Sequence, residues 1–336
     1  MDEGYTFYPP SSGLPQLRQG IANKLAEKNG IHVDSRTEII VTVGGKQAIF
    51  SSILAMVDPG DEVIVSDPCW VTYDPCVRLA GGRTVPVPVR EEDGLRISPD
   101  AVSRAITRKS KLIILNSPCN PTGAVLRRED LDPIAELAKR NDLWILSDEI
   151  YEFLIYDGLK HYSIASLPGM QERTVTANGF SKAYSMTGWR LGYLAGPRQL
   201  VEHILAIHEH SVTGPALFIQ KAMADAMEDP RSAQSIREMH AEFEKRRELM
   251  VGELNKIPGT SCMKPGGTFY AFPNVTSFKR SSSELARYLL EKAQVAVIPG
   301  SAFGKGGEGF LRLSFAASAD NIKEALSRIR SALSNL

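Results

Sequence analysis

The stretch that decides the fold of this chain runs from residue 178 to residue 192 and reads NGFSKAYSMTGWRLG. A β-branched run over residues 174–178 leads into it and predicts a strand. Lys182 therefore lies in a Gly/Ser loop directly after a strand, flanked by aromatic residues, and Arg190 follows eight residues later. An isolated lysine is usually a solvated surface residue. Because ligands of open α/β sheets bind beyond the carboxyl ends of the strands, this loop instead predicts a binding site.

Further apolar segments with the same character lie on both sides of this strand. The seven predicted strands cover residues 38–43, 62–66, 84–89, 111–115, 143–147, 174–178 and 191–195. Helical patterns separate several of them, most clearly over residues 46–56 and 128–140. Strands that are apolar throughout and alternate with helices favour a parallel sheet. The predicted fold class is α/β, with a mostly parallel seven-stranded sheet and helices on both faces.

The pattern changes after Pro230, where a long amphipathic helix is predicted. Strands are then predicted over residues 259–272, 296–299 and 310–315, and helices over residues 283–292 and 320–333. This mixture is typical of a small α+β domain. The sequence therefore predicts a large domain over residues 1–228 and a small carboxyl-terminal domain over residues 229–336.

Composition and charge exclude several classes of partner. Lys+Arg and Asp+Glu both number 39, so the chain has no electrostatic footprint for nucleic acid or an anionic membrane. No apolar run approaches the ~20 residues of a membrane-spanning helix. Four cysteines without a CxxC pair fit a reducing compartment, and we expect a cytoplasmic location. The spacings of His203, His208 and His210 match no metal-ligand pattern, so we expect no metal.

Polar residues follow several other predicted strands, but each stretch alone is ambiguous. Residues 42–46, TVGGK, would place bare amides and a cation at a helix amino terminus, which suits phosphate, although glycine turns are common there. Residues 116–123, NSPCNPTG, taken alone favour a Pro-rich turn over a binding site. Asp148 fits a helix cap, and Trp70 fits a core position.

Taken together and in this order, these stretches resemble the class I aminotransferases, the fold type I enzymes related to aspartate and tyrosine aminotransferases. The resemblance runs from about Tyr5 to the carboxyl terminus. It implies pyridoxal 5'-phosphate as cofactor, carried by Lys182 as a Schiff base. Arg190 would clamp the cofactor phosphate with its bidentate guanidinium, and the amides of Gly45 and Lys46 would add to that site. Gly179 stands where some relatives place a hydroxyl residue, so Ser181 becomes the candidate for that phosphate contact.

The same resemblance assigns the other site residues. Asp148 would pair with the pyridine nitrogen, and Asn120 and Tyr151 would hydrogen-bond the phenolate oxygen of the cofactor. Trp70 would stack on the cofactor ring. Arg312 would bind the α-carboxylate of the substrate, beside Asn120, although on its residue type alone it fits a surface ion pair. The catalytic set implied is Lys182, Asp148 and Tyr151.

Tyr8 resembles the tyrosine that reaches the phosphate of a neighbouring subunit, so the resemblance implies a homodimer with shared active sites. Without the resemblance, Tyr8 fits a surface aromatic beside a Pro-rich turn. The chain begins MDEGYTFYPP, partway through the family's pattern. We therefore expect the family's amino-terminal arm to be absent, which would affect substrate capture and water exclusion.

The expected function is transfer of an amino group between an amino acid and a 2-oxo acid. The freed amine of Lys182 would move a proton between the substrate α-carbon and the cofactor. A lyase, racemase or decarboxylase of the same fold shares these cofactor contacts, and a non-catalytic binding protein is a further alternative. The helix over residues 46–56 offers no second cation for a distal carboxylate, which disfavours an acidic substrate and leaves aromatic and neutral amino acids open.

Overall fold

A seven-stranded sheet forms the centre of the protein in the computed structural model, which describes residues 4–336. Its strands are β1 (Ile39–Thr42), β2 (Glu62–Asp67), β3 (Arg83–Pro88), β4 (Ser110–Asn116), β5 (Trp144–Asp148), β6 (Thr174–Gly179) and β7 (Gly192–Ala195). They lie in the order β1-β7-β6-β5-β4-β2-β3. The pairs are parallel except where β7 joins β1 and β6. The predicted mostly parallel sheet is confirmed, and each strand lies within one residue of its predicted bounds.

Helices cover both faces of this sheet, as predicted. The α-helices of residues 4–336 are α1 (Pro15–Lys24), α2 (Gly44–Met56), α3 (Tyr73–Leu79), α4 (Pro99–Ala105), α5 (Arg128–Arg140), α6 (Phe180–Ala183), α7 (Arg198–Val212), α8 (Leu217–Glu228), α9 (Pro230–Leu254), α10 (Ser282–Ala293) and α11 (Ala319–Leu333). On one face, α2, α3 and α7 pack against the core that contains Val63 and Val65. On the other, α4 and α5 pack around Ile64. Side chains alternate along a strand, so β2 supplies both cores.

A second, three-stranded sheet lies in the carboxyl-terminal part of the chain. Its strands are β8 (Tyr270–Ala271), β9 (Ile298–Pro299) and β10 (Leu311–Ser314), antiparallel in the order β8-β10-β9. Apolar residues of α9, α10 and α11 share one core with this sheet, which confirms the predicted α+β character. The same core takes in Tyr151, Leu154 and Tyr156, which follow β5. The division of the chain at residue 228 stays a prediction.

The predicted strand over residues 259–272 is wrong for most of its length. Only Tyr270–Ala271 forms a strand, and the chain before it carries isolated bridges. The reason lies in a close approach: a Cβ on Gly267 would meet the Pro118 ring at 2.6 Å, and the Gly267 amide donates to the carbonyl of Gly123 at 2.9 Å. This segment therefore packs against the turn of residues 118–123 instead of pairing as a long strand.

The long helix expected after Pro230 is confirmed as α9. Asp229 caps its amino terminus, where the carboxylate accepts from the Arg231 amide at 2.8 Å, and Pro230 occupies the first turn. Across residues 4–336, no helix combines the length and the apolar character that crossing a membrane requires.

Candidate active site

A cavity of about 520 Å³ lies where the carboxyl ends of the central strands meet the second sheet. The position is the one expected for a ligand of an open α/β sheet. With the exception of Tyr8, the predicted site residues all line its wall: Gly45, Lys46, Trp70, Asn120, Asp148, Tyr151, Ser181, Lys182, Arg190 and Arg312. Residues from both sheets thus converge on one chamber.

The Lys182 amine enters the cavity from α6, the single helical turn that follows β6. Its Nζ lies 5.7 Å from the ring centroid of Tyr151 and 5.0 Å from that of Phe269. Burial lowers the pKa of this amine, and the cations Arg190 and Arg312 lower it further. Both causes favour the neutral amine, which is the nucleophilic form.

Asp148, the last residue of β5, presents a buried carboxylate to the same cavity. Its Oδ2 accepts a hydrogen bond from the Tyr73 hydroxyl at 2.7 Å, and its Oδ1 accepts from the Ile150 amide at 3.3 Å. Burial raises the pKa of Asp148 to about 6 in spite of these donors. Among residues 4–336 this carboxylate forms no salt bridge, so it can take a cationic partner. The protonated pyridine nitrogen of pyridoxal phosphate would supply one, so the site fits the cofactor at this end.

At the opposite end, the amino terminus of α2 forms an anion cradle. A Cβ on Gly44 would lie 2.7 Å from Nη2 of Arg190, so the absence of a side chain lets the guanidinium approach the helix terminus. Gly192 is equally constrained, since its Cβ would meet the Gly45 amide nitrogen at 2.5 Å. Arg190 itself has a left-handed φ of 54° and donates to the Thr187 carbonyl at 2.8 Å. Free amides, a helix terminus and a guanidinium are the groups that phosphate prefers.

Arg312 reaches the cavity from β10. Its Nη1 donates to the side-chain oxygen of Asn120 at 2.9 Å, and its guanidinium lies 4.3 Å and 4.8 Å from the ring centroids of Tyr270 and Phe303. These partners within residues 4–336 are an amide and two rings, so its charge is not neutralised by them. The surface ion pair considered from sequence does not describe this arginine, which is available to a carboxylate instead.

The aromatic wall of the cavity comprises Trp70 and a pair of tyrosines. Trp70 packs edge to face on Tyr73 with a centroid distance of 5.4 Å, and the Lys46 ammonium lies 5.4 Å from the Trp70 ring. The hydroxyls of Tyr151 and Tyr270 are 3.1 Å apart. Burial raises the pKa of the Tyr151 hydroxyl well above its usual value, so this group keeps its proton and can donate it in a hydrogen bond.

Sequence reasoning missed three side chains that complete the site. Tyr73 follows Trp70 by three residues, a spacing that could have marked it. Asn116 ends β4, where its amide donates to the Asp148 carbonyl at 3.0 Å and its oxygen accepts from the Asn120 amide at 2.8 Å. Tyr270 carries no local signal, because only the packing of the second sheet brings it to Tyr151.

Tyr8 is the predicted site residue that the structure does not bring to the cavity of its own chain. Its side chain is 84% exposed, and it lies outside the lining of the cavity. The first residues of the opening stretch, Met1, Asp2 and Glu3, lie outside the described residues. A single chain therefore leaves the predicted role of Tyr8 untested.

Comparison with known proteins gives full-length matches. The family model for aminotransferase class I and II matches residues 1–329. An aspartate aminotransferase of Pyrococcus abyssi is 46% identical over 333 residues, which is 99% of this chain and 85% of the relative. Aromatic-amino-acid aminotransferase 2 of Thermococcus litoralis is 45% identical over 99% of this chain and 85% of its own length.

Solved structures agree with the sequence matches. The aromatic aminotransferase from Pyrococcus horikoshii OT3 superposes with a TM-score of 0.98 at 45% identity, covering 99% of this chain and 89% of that chain. The aspartate aminotransferase from Thermus thermophilus with maleate superposes with a TM-score of 0.94 at 40% identity, covering 98% of this chain and 85% of that chain.

Proposed function

The chain belongs to the aminotransferase class I and II family, and from this premise we propose the role of each residue in the cavity. The protein is a pyridoxal 5'-phosphate-dependent aminotransferase, which moves an amino group between an amino acid and a 2-oxo acid. Lyase, racemase, decarboxylase and non-catalytic binding are not favoured, because the relatives that match over nearly the whole chain are named aminotransferases. The observation that carries the residue assignment is the convergence of Lys182, Asp148 and Arg312 on one cavity with an anion cradle at its end.

Five residues hold the two polar ends of the cofactor in this proposal. Gly45, Lys46, Ser181 and Arg190 bind its phosphate at the amino terminus of α2, and Asp148 faces its pyridine nitrogen. When bound, pyridoxal phosphate accepts the electron pair that the substrate α-carbon releases. The Asp148 carboxylate keeps the ring nitrogen protonated for that purpose, because a neighbouring negative charge favours the protonated form.

The side chains around the ring fix its orientation. Trp70 packs on the ring face, and Asn120 and Tyr151 donate to the phenolate oxygen. Tyr270 supports the Tyr151 hydroxyl at 3.1 Å, and Asn116 supports the backbone amide of Asn120 at 2.8 Å. The two donors to the phenolate oxygen are thus each supported by a further hydrogen bond, which keeps the site preorganised.

Lys182 performs both the attachment and the proton transfer. Its amine holds the cofactor covalently between turnovers, and the amine freed by the incoming substrate moves a proton from the substrate α-carbon. The lowered pKa of Lys182 supports this role, because the amine must be neutral to accept a proton. Arg312 and Asn120 bind the α-carboxylate, which sets the α-carbon near Lys182.

The amino donors that we propose are aspartate and aromatic amino acids. The two relatives described above carry these substrates in their names. The cavity wall supplies apolar contact from Ile298, Phe303 and Tyr270, which suits an aromatic side chain. The helix over residues 46–56 supplies no cation besides Lys46, so an acidic donor is retained on the name of the aspartate aminotransferase alone.

We further propose a cytoplasmic homodimer in which Tyr8 serves the phosphate site of the partner subunit. The exposure of Phe7 and Tyr8 supports this proposal, and so does the half-exposed Trp189 next to Arg190 at the phosphate end of the cavity. An exposed aromatic group of this size is typical of a surface that becomes covered. The four cysteines are all unpaired, which supports a reducing compartment.

A panel of amino donors tests the assignment directly. Purified protein saturated with pyridoxal phosphate is mixed with aspartate, glutamate, tyrosine, phenylalanine and alanine, one at a time and without an acceptor. Transfer of the amino group is followed by the absorbance of the cofactor. We expect conversion with aspartate and with the aromatic donors.

The matched variants are Lys182→Ala and Lys256→Ala, the second being an exposed lysine paired with Glu253. Lys182→Ala should lose both the conversion and the attachment that borohydride makes permanent, whereas Lys256→Ala should keep both. An active Lys182→Ala protein with the attachment intact would refute the assignment of Lys182.

A further inference from the structure

A buried cluster of charged residues lies directly behind Asp148. Glu149, the next residue along the chain, is 1% exposed and does not line the cavity. Its carboxylate accepts hydrogen bonds from Asn29 at 3.0 Å, Ser147 at 2.8 Å and Ser163 at 2.6 Å, and its Oε2 lies 2.8 Å from Nε2 of His161. A buried carboxylate with this many donors is held in its ionised form.

The cluster continues on the other side of Glu149. Glu152 accepts from Asn29 at 2.8 Å and from Asn178 at 2.7 Å, and it is paired with the Lys24 ammonium. The hydroxyl of Tyr193 lies 3.3 Å from that ammonium. Burial raises the pKa of the nearby Tyr184 hydroxyl, and the charge of Lys24 lowers this pKa while that of Glu152 raises it. These carboxylates are already satisfied by the chain's own donors, so the cluster needs no bound cation.

The charge of the cluster depends on one proton. Glu149 and Glu152 are negative and Lys24 is positive, so the total is zero only when His161 is protonated. Burial alone would lower the pKa of His161, but the charge of Glu149 and the hydrogen bond to it outweigh burial and raise the pKa above its usual value. Lys24 opposes this effect and Glu152 adds to it. The raised pKa favours the protonated ring, and in that form the pair of Glu149 and His161 is ionic and the cluster is neutral.

We propose that His161 is a positioning residue for transamination: it balances the charge of Glu149 and thereby holds the turn that presents Asp148 and Tyr151 to the cofactor. The inference rests on the proposed role of Asp148 at the pyridine nitrogen. Neither Glu149 nor His161 touches the cavity, so both act through the residues beside Glu149.

The backbone connects the cluster to the site over a short distance. The Glu149 amide donates to the carbonyl of Ala177 at 2.9 Å, which extends the pairing of β5 with β6, and the Glu152 amide donates to the Glu149 carbonyl at 3.0 Å. The turn between Asp148 and Tyr151 is thus tied to the sheet by the backbone of Glu149 and to the rest of the protein by its side chain. Rigid support of this kind is what a preorganised charge requires.

Loss of the His161 proton would act on Asp148 by electrostatics. The cluster would carry one net negative charge next to the buried Asp148 carboxylate, and Glu149 already contributes to the raised pKa of that group. A negative charge in a buried site favours protonation of its neighbours. The pyridine nitrogen of the bound cofactor, which faces Asp148 in this proposal, should therefore keep its proton to higher pH when His161 is neutral or absent.

The test uses the holoenzyme and the variant His161→Gln, which keeps a hydrogen-bond donor but cannot carry the charge. We expect the pH midpoint of the bound cofactor's absorbance change to rise by about half a unit to one unit. The value of kcat should fall about threefold or more, because an unbalanced Glu149 no longer holds the turn that presents Asp148 and Tyr151. The KM for the amino donor should stay within about twofold, because Arg312 is unaffected.

The double variant Glu149→Gln with His161→Gln removes both charges and should restore the wild-type midpoint. His203→Gln, an exposed position on α7, is the matched control and should change nothing. An unchanged midpoint in His161→Gln, or a double variant that stays shifted, overturns the inference. If Asp148→Asn shifts the midpoint while His161→Gln does not, the inference fails alone; if Asp148→Asn also has no effect, the proposed role of Asp148 fails.

A measurement on the wild-type holoenzyme covers the case in which His161→Gln does not fold. The six histidines are labelled with ¹³C in the ring and titrated by NMR, and His161 is assigned through single His→Gln variants of the other five. We expect the ring of His161 to titrate above the usual midpoint of about 6.5. A midpoint at or below that value overturns the inference.

Discussion

The hydroxyl of Tyr73 donates a hydrogen bond to Oδ2 of Asp148 across 2.7 Å, with both side chains buried. Tyr73 comes from α3 and Asp148 from the end of β5, so the contact joins two elements at the floor of the cavity. Because a donor favours the ionised form of a carboxylate, this hydroxyl opposes the effect of burial on the pKa of Asp148.

Tyr73→Phe should therefore raise the pKa of Asp148 further and weaken the charge that faces the cofactor. A hydrogen bond to a charged group is worth about 1.5–3 kcal/mol, so kcat/KM should fall about tenfold or more. Tyr288→Phe is a matched control, since the Tyr288 hydroxyl donates to the Ala332 carbonyl far from the cavity. Steady-state kinetics of both variants check this expectation, which fails if Tyr73→Phe matches Tyr288→Phe.

The buried Asp148 carboxylate should also make the stability of the cofactor-free protein depend on pH. Burial raises the pKa of Asp148 from 3.8 to about 6, so the folded protein holds this proton more tightly than the unfolded chain does. The contribution of this proton to the free energy of unfolding is fully present below pH 4 and is lost as the pH rises through about 6. The loss is about 3 kcal/mol at most.

Urea denaturation of cofactor-free protein between pH 4 and pH 7 measures this loss. In Asp148→Asn the loss should be absent, and in the wild type pyridoxal phosphate should reduce it, because the ring cation compensates the carboxylate. Parallel stability curves for wild type and variant would show that Asp148 is not the titrating group.

Replacement of Arg312 should affect KM for substrates that carry an α-carboxylate more than KM for substrates that lack it. Arg312→Lys keeps the charge but loses the bidentate geometry, so KM for amino acids should rise steeply while simple amines, which lack the carboxylate, are little affected. Arg328→Ala, an exposed arginine paired with Glu324 on α11, is the control. Equal losses for both kinds of substrate would assign Arg312 to the fold instead.

A side chain at position 192 should weaken cofactor binding by steric conflict. A Cβ at this position would lie 2.5 Å from backbone atoms of Gly44 and Gly45, so Gly192→Ala should displace the anion cradle and destabilise the protein by about 1–3 kcal/mol. Gly188→Ala lies in the turn before β7, where a Cβ would meet no heavy atom within 4 Å, and should be neutral. Equilibrium dialysis of pyridoxal phosphate and thermal unfolding compare the two, and equal affinities would refute the steric argument.

Tyr8 predicts complementation between subunits. Tyr8→Ala and Lys182→Ala homodimers are unfolded together and refolded so that their chains mix. If Tyr8 serves the partner's site, each mixed dimer has one site with both lesions and one with neither, and about a quarter of all sites recover full activity. Separately refolded homodimers are the control. Activity that stays at the average of the two mutants would mean that Tyr8 serves its own chain or no site.

Much of the fold follows from local patterns in the sequence. The apolar, β-branched runs place the seven strands of the large sheet within one residue, because a strand buried on both faces needs apolar residues throughout. The prediction over residues 259–272 failed because its apolar character reflects contact with the turn of residues 118–123 and not strand pairing. Such a contact leaves no local signal.

The candidate site divides in the same way. The run of residues 178–192 and the stretches after the other strands identify Lys182, Asp148 and Arg190 as a set before any coordinates are known. The partners of these residues come from elsewhere: Arg312 meets Asn120 across 192 residues, and Tyr270 meets Tyr151 across 119. No local pattern encodes those pairs.

The sequence by itself determined the family and the cofactor, and it predicted the residues that we propose carry the chemistry, because these depend on residue types in a fixed local order. Only the tertiary structure decided how those residues are tuned. The raised pKa of Asp148 and the lowered pKa of Lys182 arise from burial and from neighbouring charges, and the raised pKa of His161 arises from the Glu149 carboxylate in spite of burial. Desolvation and Coulomb interactions act through space, so they exist only once packing has set the distances.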